Sequence, residues 1–196
     1  ATRNITLDSV LPLITYGTGA ESDGANLSRN NIYVNVSVTE TNENTITFRL
    51  FNSSGQYNVT PYTGGAVRTI NWTGLASGLY TFNVTVNDST GNSNSTASRI
   101  VRTDTDLTLV SFGTGTESSG AEVRQSNVYV NVTVTEANEA NITFRLFNST
   151  GTVNESAYTT SQRTINWTNL ANANYTYNVT VFDFAGNSGT SATRSM

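Results

Sequence analysis

The chain has 196 residues, of which only 12% are charged, and its 10 basic and 14 acidic residues give a net charge of -4 at pH 7. This weak negative balance excludes the basic surface that nucleic acids or anionic membranes require. Because the sequence contains neither Cys nor His, it also excludes disulfides, imidazole catalysis and Cys/His zinc sites. No apolar run approaches the roughly 18 residues of a membrane span, and we expect no enzymatic activity.

Apolar and polar residues alternate along the first half of the chain, at 32–38, 46–50, 70–72 and 80–86. A period of two predicts strands with one buried face. Turn residues lie between these segments, as at Asn52 to Gly55 and Asp88 to Asn92. About seven short strands in about 95 residues are typical of an immunoglobulin-like sandwich. By the same alternation, Trp72 and Trp167 are predicted to be core residues and not platforms for sugar stacking.

The second half of the chain repeats the first half. Residues 31–40 and 46–54 match 127–136 and 142–150 at 16 of 19 positions, at a shift of 96, and residues 68–75 and 80–88 match 163–170 and 175–183 at 14 of 17 positions, at a shift of 95. A period this long favours a module that folds by itself over a solenoid repeat. The sequence predicts an all-β protein of two tandem immunoglobulin-like, Greek-key β-sandwich modules, at 1–103 and 104–196.

The ends of the modules carry a family resemblance. Residues 80–92 and 99–106, with Tyr175 to Asp183 and Gly186-Asn187 in the second copy, resemble the closing strands and Asp-x-x-Gly-Asn turn of bacterial and archaeal immunoglobulin-like repeats from large surface proteins, adhesins and surface filaments. The steps from Leu75 to Tyr80 and from Leu170 to Tyr175 resemble the tyrosine corner of such sandwiches. The resemblance implies an extracellular, cell-surface protein.

Asparagine is unusually often the first residue of Asn-x-Ser/Thr, the acceptor motif for N-linked glycans. The motif occurs at 16 of the 26 asparagines, about twice the number expected from composition: Asn4, Asn26, Asn35, Asn52, Asn58, Asn71, Asn83, Asn87, Asn94, Asn131, Asn141, Asn148, Asn154, Asn166, Asn174 and Asn178. Six of them fall in the middle of strands on the outward face, where Thr suits a strand better. We therefore predict N-linked glycans, and this use of asparagine without cysteine favours an archaeal surface protein.

Acidic residues mark the module ends, at Asp88, Asp104, Asp106 and Asp183. Oxygen ligands of this kind suit Ca²⁺, which stiffens many of the repeats that the chain resembles. The interpretation that we favour is that these carboxylates cap turns and are otherwise solvated, and a calcium site is the alternative.

The beginning of the chain resembles the end of a module, because Ala1 to Arg3 aligns with Ala97 to Arg99 and with Ala192 to Arg194. Residues 1–8 are thus a candidate donor strand or the last strand of a preceding module. Two kinds of partner are therefore predicted: neighbouring repeats joined by chain continuity, or neighbouring copies joined by strand donation.

The predicted function is a structural part of a glycosylated stalk, filament or lattice. The alternative is an adhesin module that binds a surface carbohydrate or protein.

Overall fold

The computed structural model describes residues 7–159 and 161–196. The chain divides into two compact units, Ala1–Thr105 and Asp106–Met196, and this boundary lies two residues after the one that the repeat predicts. All regular elements of the described residues are β-strands, which confirms the predicted fold class. Among these residues there is no helix that is long and apolar enough to cross a membrane.

The first unit is a sandwich of two sheets. One sheet has the order β1-β3-β6, and the other has the order β2-β9-β7-β4-β5, with β8 also paired to β7. All pairs are antiparallel except β2 with β9. The strands are β1 Leu13–Tyr16, β2 Ala25–Leu27, β3 Ile32–Thr39, β4 Glu43–Asn52, β5 Gly55–Thr63, β6 Thr69–Trp72, β7 Gly78–Asp88, β8 Ser93–Ser95 and β9 Arg99–Thr103.

The second unit repeats this arrangement in sheets β10-β11-β14 and β13-β12-β15-β16, with β17 also paired to β15. A counterpart of β2 is missing from the strands of its described residues. The strands are β10 Leu109–Phe112, β11 Val128–Thr135, β12 Glu139–Asn148, β13 Gly151–Tyr158, β14 Thr164–Trp167, β15 Thr176–Asp183, β16 Ser188–Thr190 and β17 Arg194–Ser195.

Each unit has its own hydrophobic core between its two sheets, built from the alternating residues that the sequence predicts. In the first unit, every second residue of β7 from Tyr80 to Val86 is buried, and so are the inward residues of β4 and those of β3 up to Val36, while Val38 is partly buried. Trp72 and Trp167 are 7% and 6% exposed, as expected for core residues. The tyrosine corner is also present, because the Tyr80 hydroxyl donates to Ala76 O at 3.2 Å and the Tyr175 hydroxyl to Ala171 O at 2.9 Å.

The last strand of each sandwich is interrupted, which the alternation of the sequence does not predict. Between β8 and β9, the Thr96 hydroxyl accepts a hydrogen bond from Val84 N at 3.1 Å. Ser191 does the same for Val179 N, at 3.0 Å, between β16 and β17. A side-chain oxygen here occupies the position of a main-chain carbonyl, so the ladder breaks without leaving the buried N–H unpaired.

Candidate functional sites

The turn after β7 is held by a single carboxylate. Asp88 Oδ1 accepts hydrogen bonds from the main-chain N–H groups of Thr90 and Asn92 at 2.9 and 2.8 Å, and Oδ2 accepts from Asn92 Nδ2 at 2.7 Å. Gly91 completes the turn with φ +100°, a conformation that favours glycine. Burial by itself would raise the pKa of the Asp88 carboxyl, but the bonds from Asn92 and Thr90 outweigh it and leave this pKa below its ordinary value.

The same turn follows β15 in the second unit. Asp183 accepts from Asn187 N at 2.8 Å and from Asn187 Nδ2 at 2.7 Å, and Gly186 has φ +92°. Asp88 and Asp183 are therefore buried caps of their turns, at 2% and 4% exposed. Asp88 and Asp183 therefore make the hydrogen bonds that a turn-capping role requires.

Asp88 also belongs to a cluster of three carboxylates in the first unit. One carboxylate oxygen each of Asp8, Glu40 and Asp88 lies within 4.8 Å of the others. Asp8 comes from the segment before β1, Glu40 from the β3–β4 turn, and Asp88 from the end of β7. Asp8 Oδ2 accepts from Asn42 Nδ2 at 2.9 Å, and Glu40 Oε1 accepts from Asn42 N at 2.8 Å. Three negative charges therefore converge where three segments of the module meet.

The residues predicted to bind calcium lie in different units and differ in burial. Asp104 is buried near the end of the first unit, where its N–H donates to Leu27 O at 2.8 Å, and Asp183 lies in the second unit. Asp106 is exposed and is not part of the cluster around Asp88. The repeat alignment makes Asp104, Glu136 and Asp183 the second copy's equivalents of Asp8, Glu40 and Asp88.

The cluster has the chemistry that suits calcium. Ca²⁺ prefers six to eight hard oxygen ligands, and the three carboxylates supply such oxygens at one place. Asp8 and Glu40 belong to this cluster but are not among the residues predicted to bind calcium. The signal for them was present in the sequence, because each recurs in the second copy at a shift of 96, as Asp104 and Glu136.

The sequon asparagines of the described residues all keep some solvent exposure. Asn4 falls outside the described residues, and none of the other fifteen sequon asparagines is buried. Asn26, Asn71, Asn154, Asn166 and Asn174 are exposed, and the remaining ten are half-buried. Glycosylation of these residues stays a prediction, and their exposure is compatible with it.

Some of these asparagines also have a role in the fold. Asn35 Nδ2 donates to Thr18 O at 2.9 Å, and its equivalent Asn131 donates to Thr114 O at 3.0 Å. Asn58 and Asn154 lie opposite the inward residues Leu50 and Leu146. Their Oδ1 atoms accept from the Nε1 atoms of Trp72 and Trp167, at 3.0 and 2.9 Å. A buried indole N–H needs such an acceptor.

The fold is that of known tandem sandwich modules. A structure of titin domains aligns with a TM-score of 0.50 and 13% identity over 95% of this chain and 66% of that one. The fibronectin(III)-like modules of Clostridium thermocellum CbhA align with a TM-score of 0.44 and 13% identity over 93% and 91%. The chicken CNTN1 FN1-FN3 domains give 0.47 and 15% over 95% and 66%. The chain thus spans about two thirds of the titin and CNTN1 structures.

No protein-family profile and no curated protein matches the chain. At such low identity, the structural likeness defines the fold class and nothing further. The chain has the architecture of tandem immunoglobulin-like β-sandwich modules.

Proposed function

We propose that the chain is a structural component of an extracellular, N-glycosylated stalk, filament or lattice at a cell surface. One observation carries this proposal: the same sandwich occurs twice, each copy has its own core, and none of the sequon asparagines of the described residues is buried. A module that folds around its own core can be repeated to span distance.

The composition of the surface supports the same role. The polar groups on the outward faces are mostly uncharged Thr, Ser and Asn, and the chain has few charged residues with which to stay soluble. A glycan shell would supply that solubility and would shield sheet edges such as β5 from pairing with other chains.

The acidic side chains that recur in both copies support a structural role and not catalysis. Glu43 makes a two-point ion pair with Arg68, at 2.6 and 3.0 Å, and Glu139 repeats it with Arg163. Asp88 and Asp183 cap turns. We therefore propose no enzymatic activity. The partners that we propose are further modules or copies of the same kind. Of the proposed donor strand, residues 1–6 lie outside the described residues, so strand donation stays a prediction.

The alternative, an adhesin, is supported by the edge strand β5. Its Tyr57 and Val59 side chains are 51% and 37% exposed, and the second copy has Val153 and Glu155 at the equivalent positions. An exposed apolar edge that differs between copies is a reasonable contact for a partner.

Intact-mass measurement of the protein from its natural host tests the proposal. We expect hexose-bearing species that disappear on chemical deglycosylation, and imaging of surface material should show an assembly that contains the chain. A mass equal to that of the bare polypeptide contradicts the proposal. A monomer that binds glycans on an array, and loses this binding on Tyr57→Ala, would instead favour the adhesin.

A further inference from the structure

Both copies share five pairs of sequon asparagines, and the fold uses every one of these residues. Each has a side-chain hydrogen bond to the main chain or to another side chain. The pairs are Asn35 with Asn131, Asn52 with Asn148, Asn58 with Asn154, Asn71 with Asn166, and Asn83 with Asn178.

Glycosylation changes one atom of the asparagine. The amide Nδ2 displaces the phosphate group from C1 of a lipid-linked sugar donor, so an Nδ2–C1 bond forms and the C1–O bond breaks. The lipid phosphate leaves with the electron pair, and one amide proton passes to a base of the transferase. An asparagine whose Nδ2 is already packed and bonded in the fold is a poor acceptor, whatever its sequence motif.

The Nδ2 atoms of Asn35 and Asn131 are packed in this way. Besides donating to a loop carbonyl, each lies against a glycine of the segment after the first strand of its unit. A Cβ on Gly17 would come within 2.9 Å of Asn35 Nδ2, and a Cβ on Gly113 within 2.9 Å of Asn131 Nδ2. A sugar on Nδ2 would have to push the asparagine away from this loop and disturb the hydrogen bond between them.

Asn83 and Asn178 are held at the centre of β7 and β15. In each, Oδ1 is buried without a hydrogen-bond partner among the described residues. Nδ2 lies 3.4 Å from the hydroxyl oxygen of Ser98 in the first unit and of Thr193 in the second. Each amide is therefore buried at Oδ1 and lies against the neighbouring segment through Nδ2.

Four sequon asparagines have the opposite character. Asn26, Asn87, Asn141 and Asn174 have no side-chain hydrogen bond within the described residues, and none of them is buried. The other copy has Glu122, Phe182, Thr45 and Leu79 at these positions. The sandwich therefore does not need asparagine there, although asparagine is present each time with a complete acceptor motif.

We infer that two kinds of sequon are present: Asn35, Asn83, Asn131 and Asn178 serve the fold and carry no glycan, whereas Asn26, Asn87, Asn141 and Asn174 carry glycans. This inference rests on the proposed glycosylated surface function and specifies which residues perform it.

Substitution of the asparagine with Thr distinguishes structural from glycan-bearing positions by whether Tm falls or rises. Thr is a better strand residue than Asn, so it should not destabilise a strand in which Asn has no structural role. For the full chain made in a host without N-glycosylation, we expect Asn35→Thr and Asn131→Thr to lower Tm by about 4–8 °C. Asn141→Thr, which introduces the residue of the first copy, is the matched control and should leave Tm unchanged or raise it. Equal effects at all three positions would overturn the structural assignment.

Glycopeptide mapping of the protein from its natural host tests the other half. We expect sugar on Asn26, Asn87, Asn141 and Asn174 and none on Asn35, Asn83, Asn131 or Asn178. Sugar on any of the latter four, or bare peptides at the former four beside occupied sites elsewhere, overturns the inference while the proposed function stands. Bare peptides at every sequon overturn the proposed function and the four glycan sites together, and the Tm series then decides the structural assignment by itself.

Discussion

At the scale of single residues, the two copies exchange the members of one aromatic pair. Tyr16 packs edge-on against Phe82 with ring centroids 5.6 Å apart, and at the equivalent positions Phe112 packs against Tyr177 at 5.5 Å. An arginine covers the first ring in both, with Arg99 3.8 Å above Tyr16 and Arg194 4.4 Å above Phe112. The contact is preserved, and only the strand that carries the hydroxyl changes.

The hydroxyl then finds different partners. Tyr16 donates to Ala97 O at 2.8 Å and accepts from the Thr96 hydroxyl at 3.0 Å, whereas Tyr177 donates to Glu117 O at 2.8 Å. In the second copy, Ser191 replaces Thr96 and donates instead to Ala192 O at 2.9 Å. Each copy therefore satisfies its buried polar groups separately, which is why the exchange requires several coupled differences.

We predict that Tyr16→Phe lowers the free energy of unfolding by about 1 kcal/mol at pH 7, because it removes a partly buried hydrogen bond. The double variant Tyr16→Phe with Phe82→Tyr reproduces the pair of the second unit and should recover part of the loss. Denaturant unfolding followed by fluorescence measures both. An unchanged single variant would mean that the hydroxyl bonds contribute nothing.

The same variant has a pH dependence with a defined sign. Burial raises the pKa of the Tyr16 hydroxyl, against the Thr96 hydrogen bond and the Arg99 charge, which lower it. The stabilisation is thus complete below the unfolded pKa of about 10 and is lost as the pH rises through the higher folded pKa. The difference between wild type and Tyr16→Phe should narrow above about pH 10. A constant difference to pH 11 would contradict this.

At the scale of strands, the two copies differ in how the short strand β8 or β16 contacts the segment before the first strand of its unit. In the second unit, a Cβ on Gly189 of β16 would lie 1.9 Å from Thr108 O, so only glycine fits. In the first unit, the equivalent Asn94 of β8 reaches across and donates from Nδ2 to Pro12 O at 2.9 Å. Here β8 stands farther from the segment before β1, and a side chain bridges the gap.

We predict that Gly189→Ala destabilises the second unit by about 3 kcal/mol, because the methyl group overlaps a main-chain carbonyl. Asn94→Ala is the matched control and should cost only about 1 kcal/mol, the loss of one hydrogen bond. Thermal unfolding of both variants provides the comparison. Equal losses would show that the segments move apart to admit the methyl group.

How much of each strand is predictable depends on what determines its bounds. The alternation from Ile32 to Val38 and from Tyr80 to Val86 predicts strands, faces and core correctly, because burial of one face is local in sequence. The breaks at Thr96 and Ser191 were not predicted, since their hydroxyls bond a strand twelve residues away. For the same reason, the alternation of sequon asparagines could not show that Asn35 packs on Gly17.

At the scale of the whole molecule, the acidic residues form a repeated set. The sequence predicts ligands at the module ends, and the fold adds to Asp88 the two distant residues Asp8 and Glu40, which only the folded chain brings together. The repeat alignment gives Asp104, Glu136 and Asp183 as the equivalent residues of the second copy, so the three acidic residues are a property of the repeated sequence.

Three carboxylates at such short separations repel one another unless a cation balances them. We therefore predict that Ca²⁺ raises the Tm of the chain, with a stabilisation of about 2.7 kcal/mol at a concentration 100 times the Kd.

Glu40→Gln keeps an oxygen that can accept from Asn42 N but removes one charge. It should raise Tm without calcium and reduce the calcium-dependent increase. Glu122→Gln, at an exposed position, is the control that should change neither. A Glu40→Gln variant that responds to calcium like the wild type would contradict the site, and a wild type without any response would leave the carboxylates as turn caps alone.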